Sequence, residues 1–403
     1  MPVTRSASKS SVAIVLLESC FLRVTYLAHD LDDPSIWRRV RMMRQGGAQV
    51  QVAGFRRGNG PLPEPAIVLG YTANGRMIQR VRAIAAAWPR IARMIPAQDG
   101  PEVILARNLE VLVLGARLAR ARGGRLVYEL LDIHAMMLGQ GLAARTLRRV
   151  EAGLMRRSSL VVLSSPAFET SYLRQFDQPA IPTLLVENKP FARPGAAAPA
   201  SAAPEGVENG GPLIIGWFGM LRCRWSLGVL DQVSRARPGK FRVILRGRPA
   251  LDVMQDFHAV VEANPDLSFM GPYDWPDDLP DIYGQIDVAW LIDRYQAGQN
   301  SDWLLPNRLY EGCLNGAVPV VLEGTEVARR VSAWDCGFVV SNPDADAVAD
   351  TLSTLTPAML AKRRRAVADL PRAALEMDET ECLLLTAAIC GTGQTAPHAP
   401  VAT

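Results

Sequence analysis

Residues 306–321 have the sequence PNRLYEGCLNGAVPVV, in which a helix start is followed by an apolar strand. Pro306 suits the opening of a helix, where its missing N–H costs no hydrogen bond. The pattern predicts a helix over Asn307–Leu314, a helix end at Asn315-Gly316 and a strand over Val318–Leu322. These residues therefore form one helix–strand step of a parallel α/β sheet.

The residues before this helix predict the strand and the loop that precede it. They predict a strand over Asp287–Leu291 and a polar loop over Asp293–Leu305. The helix N-terminus therefore lies at the carboxyl edge of the sheet, where its free N–H groups and its dipole favour a phosphate. Arg308 and Glu311 share one helix face. Arg308 could bind a diphosphate and Glu311 could accept hydrogen bonds from ribose hydroxyls, so together they would suit a nucleotide diphosphate. Their spacing alone fits an ion pair on the helix surface equally well.

The alternation of apolar strands and helical patterns extends through both halves of the chain and predicts two doubly wound α/β domains. Asp33-Pro34 predicts an N-cap and the first residue of a helix that runs to Arg44. The predicted strands of the first half are Leu22–Leu27, Gln49–Ala53, Val103–Ala106, Arg125–Leu130, Leu160–Ser164 and Thr183–Glu187. The second half adds Leu213–Phe218, Phe241–Leu245, Leu267–Met270 and Gly337–Val340, followed by helices over Asp344–Ile389.

Composition sets the predicted domain borders. Residues 191–211 are rich in Pro, Ala and Gly without periodicity, which predicts a linker. We predict a ragged N-terminus over 1–20, an N-terminal Rossmann-like domain over 21–190, a C-terminal Rossmann-like domain with a helical tail over 212–389, and a disordered tail over 390–403. Ligands of such sheets bind at the carboxyl ends of the strands.

Bulk properties exclude several classes of protein. The chain is 49% hydrophobic, as is typical of a globular protein. Its apolar runs are far shorter than the roughly 20 residues of a membrane-spanning helix, and the run Val12–Leu17 lacks a good export cleavage site. Six cysteines without a Cys-x-x-Cys pair predict reduced thiols rather than disulfides or a zinc site.

Charge is distributed unevenly. Residues 1–190 carry 26 Lys and Arg against 14 Asp and Glu, whereas residues 191–403 carry 18 against 26. Residues 142–157 predict a helix with five arginines beside an apolar stripe, and with residues 76–93 they supply much of the positive charge. Such a surface would dock on an anionic membrane, where each cation contributes on the order of 1 kcal/mol. A solvated helix face is the alternative.

PNRLYEGCLNGAVPVV resembles the nucleotide-binding segment of family 4 GT-B glycosyltransferases. The resemblance extends through most of residues 22–340 and is to bacterial exopolysaccharide glycosyltransferases of the succinoglycan-building group. It is carried by YLAHDLDDP (26–34), ILARNLE (104–110), YELLDIH (128–134), SSPAF (164–168), VENK (186–189) and IGWFG (215–219). It implies an α/β fold of the GT-B type, in which two Rossmann-like domains face each other across a cleft.

The resemblance assigns Glu311 to the ribose of the donor. Trp303 stands where many family members have a sugar-contacting Glu, and Met220 and Trp225 stand where they have two diphosphate-binding cations. We expect Arg222 and Arg308 to contact the diphosphate, and Arg246 is the next candidate for this contact. The alternative for each arginine is a solvated charge on the surface. The predicted nucleotide-sugar site is Glu311, Arg308, Asn307, Arg222, Arg246, Gly219, Trp303 and Tyr310.

The N-terminal half supplies the predicted acceptor site. Asp132 and His134 follow a predicted strand end, and in the family a His in this loop lies beside the donor hexose or the reacting carbon. They are the catalytic candidates, and a base is required only if the reaction inverts the anomeric centre. His29, Asp30 and Asn108 follow two other strand ends and are the candidates for acceptor binding.

We expect no metal and no cofactor, because GT-B enzymes usually stabilise the leaving diphosphate with cations and helix dipoles. The acidic stretch Asp274–Asp281 is better explained as a turn than as an Asp-x-Asp metal site. The expected partners are a nucleotide-sugar donor, an oligosaccharide or polyprenyl-diphosphate-linked acceptor and an anionic membrane surface, but no nucleic acid. The expected location is the cytoplasm, peripheral on the inner face of the plasma membrane.

The function predicted is transfer of a hexose from a nucleotide-sugar, with UDP favoured, to a growing lipid-linked oligosaccharide in surface or exopolysaccharide biosynthesis. Two alternatives remain. One is a GT-B epimerase or hydrolase that turns over a UDP-sugar without an acceptor. The other is a non-catalytic binding protein of polysaccharide assembly, which Met220, Trp225 and Trp303 would fit.

Overall fold

A computed structural model describes residues 22–72, 77–191 and 210–391, without the side chain of Met77. The described residues form two compact units. Unit 1 comprises the chain up to Glu187 together with the chain from Met377 onward, and unit 2 comprises Asn188–Glu376. The predicted ragged N-terminus, most of the predicted linker and nearly all of the predicted tail lie outside the described residues.

The sheet of unit 1 has seven parallel strands in the order β3-β2-β1-β4-β5-β6-β7. Their side chains are mostly buried, as expected of a parallel sheet with helices on its faces. The strands are β1 (Arg23–Ala28), β2 (Gln49–Arg56), β3 (Ile67–Tyr71), β4 (Glu102–Arg107), β5 (Arg125–Leu130), β6 (Leu160–Leu163) and β7 (Thr183–Leu185).

The first helix of unit 1 begins as the sequence predicts. Asp33 is the N-cap and accepts a hydrogen bond of 2.8 Å from the N–H of Ser35, and Pro34 follows as the first helical residue. The helices are α1 (Pro34–Gln45), α2 (Met77–Ala87), α3 (Ile91–Met94), α4 (Asn108–Arg122), α5 (Ala135–Leu138) and α6 (Leu142–Met155), with a π-helical turn at Glu169–Arg174.

Unit 2 repeats the same strand order. Its six parallel strands are ordered β10-β9-β8-β11-β12-β13, and Gly219 of β8 lies opposite Gly247 of β9. The strands are β8 (Leu213–Leu221), β9 (Phe241–Pro249), β10 (Leu267–Phe269), β11 (Val288–Trp290), β12 (Val318–Leu322) and β13 (Phe338–Val340). Two apolar cores pack on this sheet, one around Trp217 and Trp290 and the other around Phe218 and Tyr310.

The helices of unit 2 include the one with which the sequence analysis began, over the predicted residues Asn307–Leu314. Pro306 is its N-cap rather than its first helical residue. The helices are α7 (Arg224–Ala236), α8 (Phe257–Glu262), α9 (Leu279–Gly284), α10 (Asn300–Trp303), α11 (Asn307–Leu314), α12 (Glu326–Trp334), α13 (Ala345–Ser353), α14 (Pro357–Ala368) and α15 (Arg372–Leu375).

The end of the chain differs from the prediction. The helix α16 (Glu379–Cys390), predicted as the tail of the second domain, belongs to unit 1 and packs on α1. Thr386 donates to the carbonyl of Met43 over 3.3 Å, and a Cβ at Gly46 would lie only 2.1 Å from Thr386 Oγ1. Because helical periodicity shows only that one face is buried, it could not identify the unit on which this helix packs.

The strand order locates the sites. In each sheet the direction of winding reverses between two adjacent strands, β1 and β4 in unit 1 and β8 and β11 in unit 2. Ligands of doubly wound sheets bind outside the carboxyl ends of the strands at this reversal. Of the described helices, none is long and apolar enough to cross a membrane.

Candidate functional site: two strand-end sites

Glu311 lies on α11 and is buried, with 5% of its surface exposed. Its Oε1 accepts a hydrogen bond of 2.9 Å from the indole N–H of Trp275. Trp275 lies in the Pro- and Asp-rich stretch that the sequence analysis explained as a turn, and 43% of its surface is exposed. A buried carboxylate whose orientation is fixed by an indole can accept hydrogen bonds from a diol, as a ribose presents.

Tyr273 lies close enough to the carboxylate of Glu311 and to two arginines to be affected by their charges. Burial raises its pKa to about 12, with a further contribution from Glu311, while Arg308 and Arg246 oppose the shift. Arg246 Nη2 lies 3.3 Å from the carbonyl of Pro272 and Arg308 Nη2 lies 3.4 Å from that of Leu291. In both arginines Nε is buried without a hydrogen-bond partner within the described chain. Buried donors without a partner are costly, and phosphate oxygens would satisfy both.

Two facing glycines shape the strand ends beside these arginines. Gly219 has φ 101° and Gly247 has φ 127°, conformations that residues with a Cβ rarely adopt. A Cβ at Gly247 would lie 1.9 Å from the carbonyl oxygen of Gly219. A Cβ built at Gly219 would be 3.9 Å from the hydroxyl of Tyr273. The predicted site residue Gly219 therefore lies at the same edge as Tyr273, Arg246 and Arg308.

Other predicted donor residues are placed differently. Asn307, the first residue of α11, accepts a hydrogen bond of 2.8 Å from the side chain of Asn188. Tyr310 is fully buried in the apolar core. The prediction that Tyr310 binds the nucleotide is therefore wrong. Its position on α11 directs the side chain into the core that packs on the sheet.

Arg222 already interacts with its own loop. Its Nε lies 3.5 Å from Asp293 Oδ2, and its guanidinium lies 5.0 Å from the ring centre of Tyr295. Trp225 stacks on Trp290 at 6.2 Å and packs against the core, so it is not a substitute for a ligand-binding cation. Trp303 ends the short helix α10 and is partly buried. The roles of Arg222 and Trp303 stay predictions.

Unit 1 has a cavity of about 810 Å³ at the carboxyl edge of its sheet. Four of the predicted acceptor and catalytic residues line it: His29, Asn108, Asp132 and His134. They follow β1, β4 and β5, so three strand ends meet at one cavity. Residues that the sequence analysis did not assign also line it, among them Arg57, Arg80, Trp88, Tyr128 and Glu151.

His29 and Asp30 have separate roles. Burial lowers the pKa of His29, although Glu110 and Asp33 oppose the shift, and its Nδ1 is buried without a hydrogen-bond partner within the described chain. Asp30 does not line the cavity. It is buried and lies 3.2 Å from Arg57 Nε. We therefore correct its assignment: Asp30 positions Arg57, which does line the cavity.

Asn108 joins two of the strand ends. It has φ 66°, a left-handed conformation that Asn tolerates better than most residues. Its Oδ1 accepts a hydrogen bond of 3.2 Å from the N–H of Leu131, in the loop that leads to Asp132. Asn108 therefore holds the loop after β5 against the end of β4.

His134 caps the short helix α5. Its Nδ1 accepts a hydrogen bond of 3.2 Å from the N–H of Met136, so the neutral imidazole carries its proton on Nε2. In this tautomer the free side of the ring is a donor and cannot serve as a base. Asp132 is an exposed carboxylate on the same loop, and of the two predicted catalytic residues it is the one able to accept a proton.

A buried ion cluster supports these loops. Arg107 donates to Glu129 over 2.8 Å and to the hydroxyl of Ser35 over 2.6 Å, while Arg39 binds the other oxygen of Glu129 over 2.6 Å. Burial raises the pKa of Glu129, but Arg107 and Arg39 lower it to about 2. The cluster joins β4, β5 and α1, and its members Arg107 and Glu129 directly precede Asn108 and Leu130, which line the cavity.

Comparison with known proteins identifies the family. No family model matches the chain. The succinoglycan biosynthesis protein ExoL of Rhizobium meliloti (strain 1021) is 42% identical over 369 residues, which cover 90% of this chain and 91% of ExoL. The chain belongs to the ExoL family. The predicted resemblance to succinoglycan-type proteins is confirmed.

Solved structures show the fold of this ExoL relative. Anabaena HepE, in complex with UDP and glucose, is 16% identical with a TM-score of 0.66, over 92% of this chain and 100% of HepE. Sucrose-phosphate synthase from Thermosynechococcus elongatus is 15% identical with a TM-score of 0.66, over 90% and 97% of the two chains. WaaG, a glycosyltransferase of lipopolysaccharide biosynthesis, is 12% identical with a TM-score of 0.60, over 91% and 100%.

These findings confirm the α/β fold of the GT-B type and the membership of the ExoL family. The predicted site residues are not tested by the comparisons. The described residues contain no group of three or more His, Cys, Asp or Glu that could hold a metal ion. Tyr273 and Trp275 are the residues beside Glu311 that the sequence analysis missed; two aromatic residues after β10, at a predicted sheet edge, were the available signal.

Proposed function

We propose that the chain transfers a hexose from a UDP-sugar to a growing lipid-linked oligosaccharide, with the donor in unit 2 and the acceptor in unit 1. The observation that carries this proposal is the cluster around Glu311. A buried carboxylate, an aromatic ring and two guanidinium groups with unpartnered Nε atoms occupy one sheet edge. A nucleoside diphosphate would use all of these groups, because its ribose hydroxyls can donate to the carboxylate and its phosphate oxygens can accept from the guanidinium groups.

The donor residues have distinct roles. Glu311 accepts hydrogen bonds from the ribose hydroxyls, and Trp275 keeps its carboxylate oriented. Arg246 and Arg308 bind the diphosphate, and Arg222, which is already paired with Asp293, contributes less. HepE was solved with UDP and with UDP-glucose, which supports UDP as the nucleotide.

The leaving diphosphate is stabilised by these two arginines and by the N-terminus of α11, with no required metal or cofactor. Charged donors fixed in advance at the point where charge develops do not have to reorganise during the reaction. Addition of a chelator should therefore leave the transfer rate unchanged. A loss of activity that Mg²⁺ or Mn²⁺ restores would contradict this part of the proposal.

The acceptor site is the cavity of unit 1. His29 and the protonated Nε2 of His134 offer hydrogen bonds to sugar hydroxyls. If the reaction inverts the anomeric centre, Asp132 is the general base; if it retains, no base is required. The anomeric configuration of the product, read by NMR, decides between the two.

The same unit would bring the enzyme to the inner face of the plasma membrane. Exposed arginines on α2 and α6 include Arg82, Arg145 and Arg149, and such residues attract anionic headgroups. The acceptor is then a saccharide on a polyprenyl diphosphate, and the chain is a peripheral protein of the cytoplasmic side.

The experiment that tests the proposed function is a panel of UDP-, GDP- and dTDP-sugars read by thermal shift. A ligand that binds only the folded state raises the unfolding midpoint. We expect UDP-sugars to raise it and the others to raise it less. Turnover of UDP-sugar without any acceptor would instead favour an epimerase or hydrolase, and absence of any shift would favour a non-catalytic binding protein.

A further inference from the structure

The side chain of Asn188 reaches the start of α11. Asn188 is the first residue of unit 2 after the chain leaves unit 1, and only 9% of its surface is exposed. Its Nδ2 donates a hydrogen bond of 2.8 Å to Oδ1 of Asn307, the first residue of α11, which lies 119 residues further along the chain. A buried amide therefore determines how the first side chain of the Glu311 helix is turned.

This hydrogen bond also determines which end of the Asn307 amide is left for a ligand. An Asn side chain has one oxygen that accepts hydrogen bonds and one NH2 group that donates two. Because Oδ1 of Asn307 faces Asn188, its Nδ2 points away from Asn188. The group left for a ligand is therefore a hydrogen-bond donor, which suits an anionic oxygen.

The start of α11 favours an anion for two other reasons. Its N-cap is Pro306, whose side chain has no atom that could form a capping hydrogen bond. The first N–H groups of a helix have no partner inside the helix, and together with its dipole they attract anions. The next residue, Arg308, has a buried Nε without a hydrogen-bond partner within the described chain. Asn307 adds a neutral hydrogen-bond donor to these groups.

The chain on both sides of Asn188 is held in place. The carbonyl of Val186 accepts a hydrogen bond of 3.2 Å from Nη2 of Arg39. Nζ of Lys189 donates over 2.7 Å to the carbonyl of Ala373 on α15, a helix that packs on α11. Because its neighbours are fixed, the side chain of Asn188 is preorganised and does not have to be ordered when a ligand binds.

We infer that Asn188 is a positioning residue of the nucleotide-sugar site, which turns the amide of Asn307 so that its Nδ2 donates to the diphosphate. This inference rests on the proposed function for the presence of a nucleoside diphosphate at α11. It extends the site to the point at which the chain enters unit 2. Asn188 does not touch the ligand and acts through Asn307.

A double-mutant cycle in the full chain, read by calorimetric titration of UDP, tests this inference. Asn307→Ala removes the bond to the diphosphate and should weaken UDP by about 10- to 100-fold, because the acceptor is charged. Asn188→Ala lets Asn307 turn and should weaken UDP by roughly two- to tenfold, the cost of ordering one side chain. The double variant should lose no more than Asn307→Ala alone.

The cycle has two outcomes that would overturn the inference. If the two losses multiply in the double variant, Asn188 acts independently of Asn307. If Asn188→Ala binds UDP as tightly as wild type does, the hydrogen bond between the two side chains has no part in nucleotide binding.

A carboxylate at either position separates orientation from stability. Asn307→Asp keeps an acceptor for Asn188 and adds a negative charge at a helix start, so the unfolding midpoint should stay the same or rise. The same variant faces the diphosphate with an anion and should bind UDP more weakly than Asn307→Ala does. Asn188→Asp can only accept, so it should turn Oδ1 of Asn307 to the diphosphate and weaken UDP more than Asn188→Ala does. Wild-type UDP affinity in Asn307→Asp would overturn the placement of Nδ2 at the diphosphate.

Uridine, which has the ribose but no phosphate, shows whether the effect is confined to the diphosphate. Its affinity, measured by ligand-observed NMR, should be the same in wild type and Asn188→Ala. Equal weakening of uridine and UDP would mean that the substitution loosens unit 2 as a whole, which contradicts a positioning role. Asn264→Ala is the matched control, because Asn264 is 2% exposed and donates to Asp231 over 2.8 Å. It should lower stability without changing UDP affinity.

The wild-type titration separates this inference from the proposed function. Failure of the wild-type chain to bind UDP would reject the proposed function, and this inference with it. UDP binding that is weakened in Glu311→Ala but unchanged in Asn188→Ala would reject the positioning role alone and leave the nucleotide site standing. We expect UDP affinity to fall in both variants.

Discussion

The indole N–H of Trp275 donates to Oε1 of Glu311 over 2.9 Å, so the carboxylate that we assign to the ribose is oriented before any nucleotide binds. Trp275→Phe keeps the aromatic ring but removes this donor. We expect UDP to bind roughly two- to tenfold more weakly, in line with the net ~0.5–1.5 kcal/mol of one hydrogen bond. Titration calorimetry measures the change. Trp334→Phe, on α12 of the same unit, is the control and should leave affinity unchanged.

The two arginines beside Tyr273 should contribute more than the arginine that already has an acidic partner. Arg246→Gln and Arg308→Gln should each weaken UDP binding by about 10- to 100-fold, because each removes a charge-assisted bond to the diphosphate. Arg222→Gln should weaken it less, since Arg222 pairs with Asp293. Arg224→Gln is the control: this arginine is exposed and paired with Asp256. A larger loss of UDP affinity in Arg222→Gln than in Arg246→Gln would support the ranking predicted from the sequence, which placed Arg222 before Arg246, over the ranking from the structure.

The close approach of β8 and β9 should make one glycine irreplaceable. Gly247→Ala puts a Cβ 1.9 Å from the carbonyl of Gly219, and we expect the free energy of unfolding to fall by on the order of 3 kcal/mol. Gly239→Ala is matched, because Gly239 also has positive φ but nothing within 4 Å. It should cost only about 1–2 kcal/mol. Urea unfolding of both variants measures the difference.

Glu151 should make the stability of the protein depend on pH. Burial raises its pKa from 4.5 to about 7, although hydrogen bonds from Tyr172 and Tyr128 oppose the shift. The folded state therefore holds the proton more tightly than the unfolded state, so this contribution is complete below about pH 4.5 and is lost as pH rises towards 7. In wild type the free energy of unfolding should therefore fall by on the order of 3 kcal/mol between about pH 4.5 and pH 7, and in Glu151→Gln this fall should be absent.

The comparison is between urea unfolding of wild type and Glu151→Gln at several pH values. Glu169→Gln, at a surface-paired acid on the π-helical turn, is the control and should retain the wild-type slope. An identical pH dependence in wild type and Glu151→Gln would show that folding does not raise the pKa of Glu151, which would contradict the prediction.

Membrane attachment should depend on the arginines of α6. Arg145→Glu combined with Arg149→Glu should reduce sedimentation with phosphatidylglycerol vesicles at least tenfold, since each cation contributes about 1 kcal/mol and each substitution also adds repulsion. Arg235→Glu combined with Arg237→Glu, at the C-terminal end of α7 in unit 2, is the control. Vesicle binding that is insensitive to 0.5 M salt and to the α6 charges would contradict an electrostatic attachment.

The sequence predicted the parts of the fold that local chemistry determines. Asp33-Pro34 defined a helix start, and Pro306 with Asn315-Gly316 bounded the helix that bears Glu311. Long-range packing was not predictable in the same way. The helix Glu379–Cys390 has the pattern of any helix with a buried face, and only tertiary contacts show that it packs on α1.

For the candidate site, too, local features were predictable from the sequence and long-range packing was not. Strand ends can be recognised in a sequence, so His29, Asn108, Asp132 and His134 were correctly placed around one edge. The direction of a side chain on a helix cannot be read without the register of its packing, which is why Tyr310 was assigned to a site although it is buried in the core. Trp275 was missed because its partner is 36 residues away along the chain.

The central claim is that unit 2 binds a nucleoside diphosphate through Glu311, and calorimetric titration of UDP into wild type and Glu311→Ala tests it most directly. We predict saturable one-to-one binding to wild type and a loss of at least about 30-fold in Glu311→Ala, because the ribose loses two hydrogen bonds to a charged group. Glu323→Ala, at a surface position after β12, should bind as wild type does. Equal UDP affinity in wild type and Glu311→Ala, or no binding to either, would contradict the account.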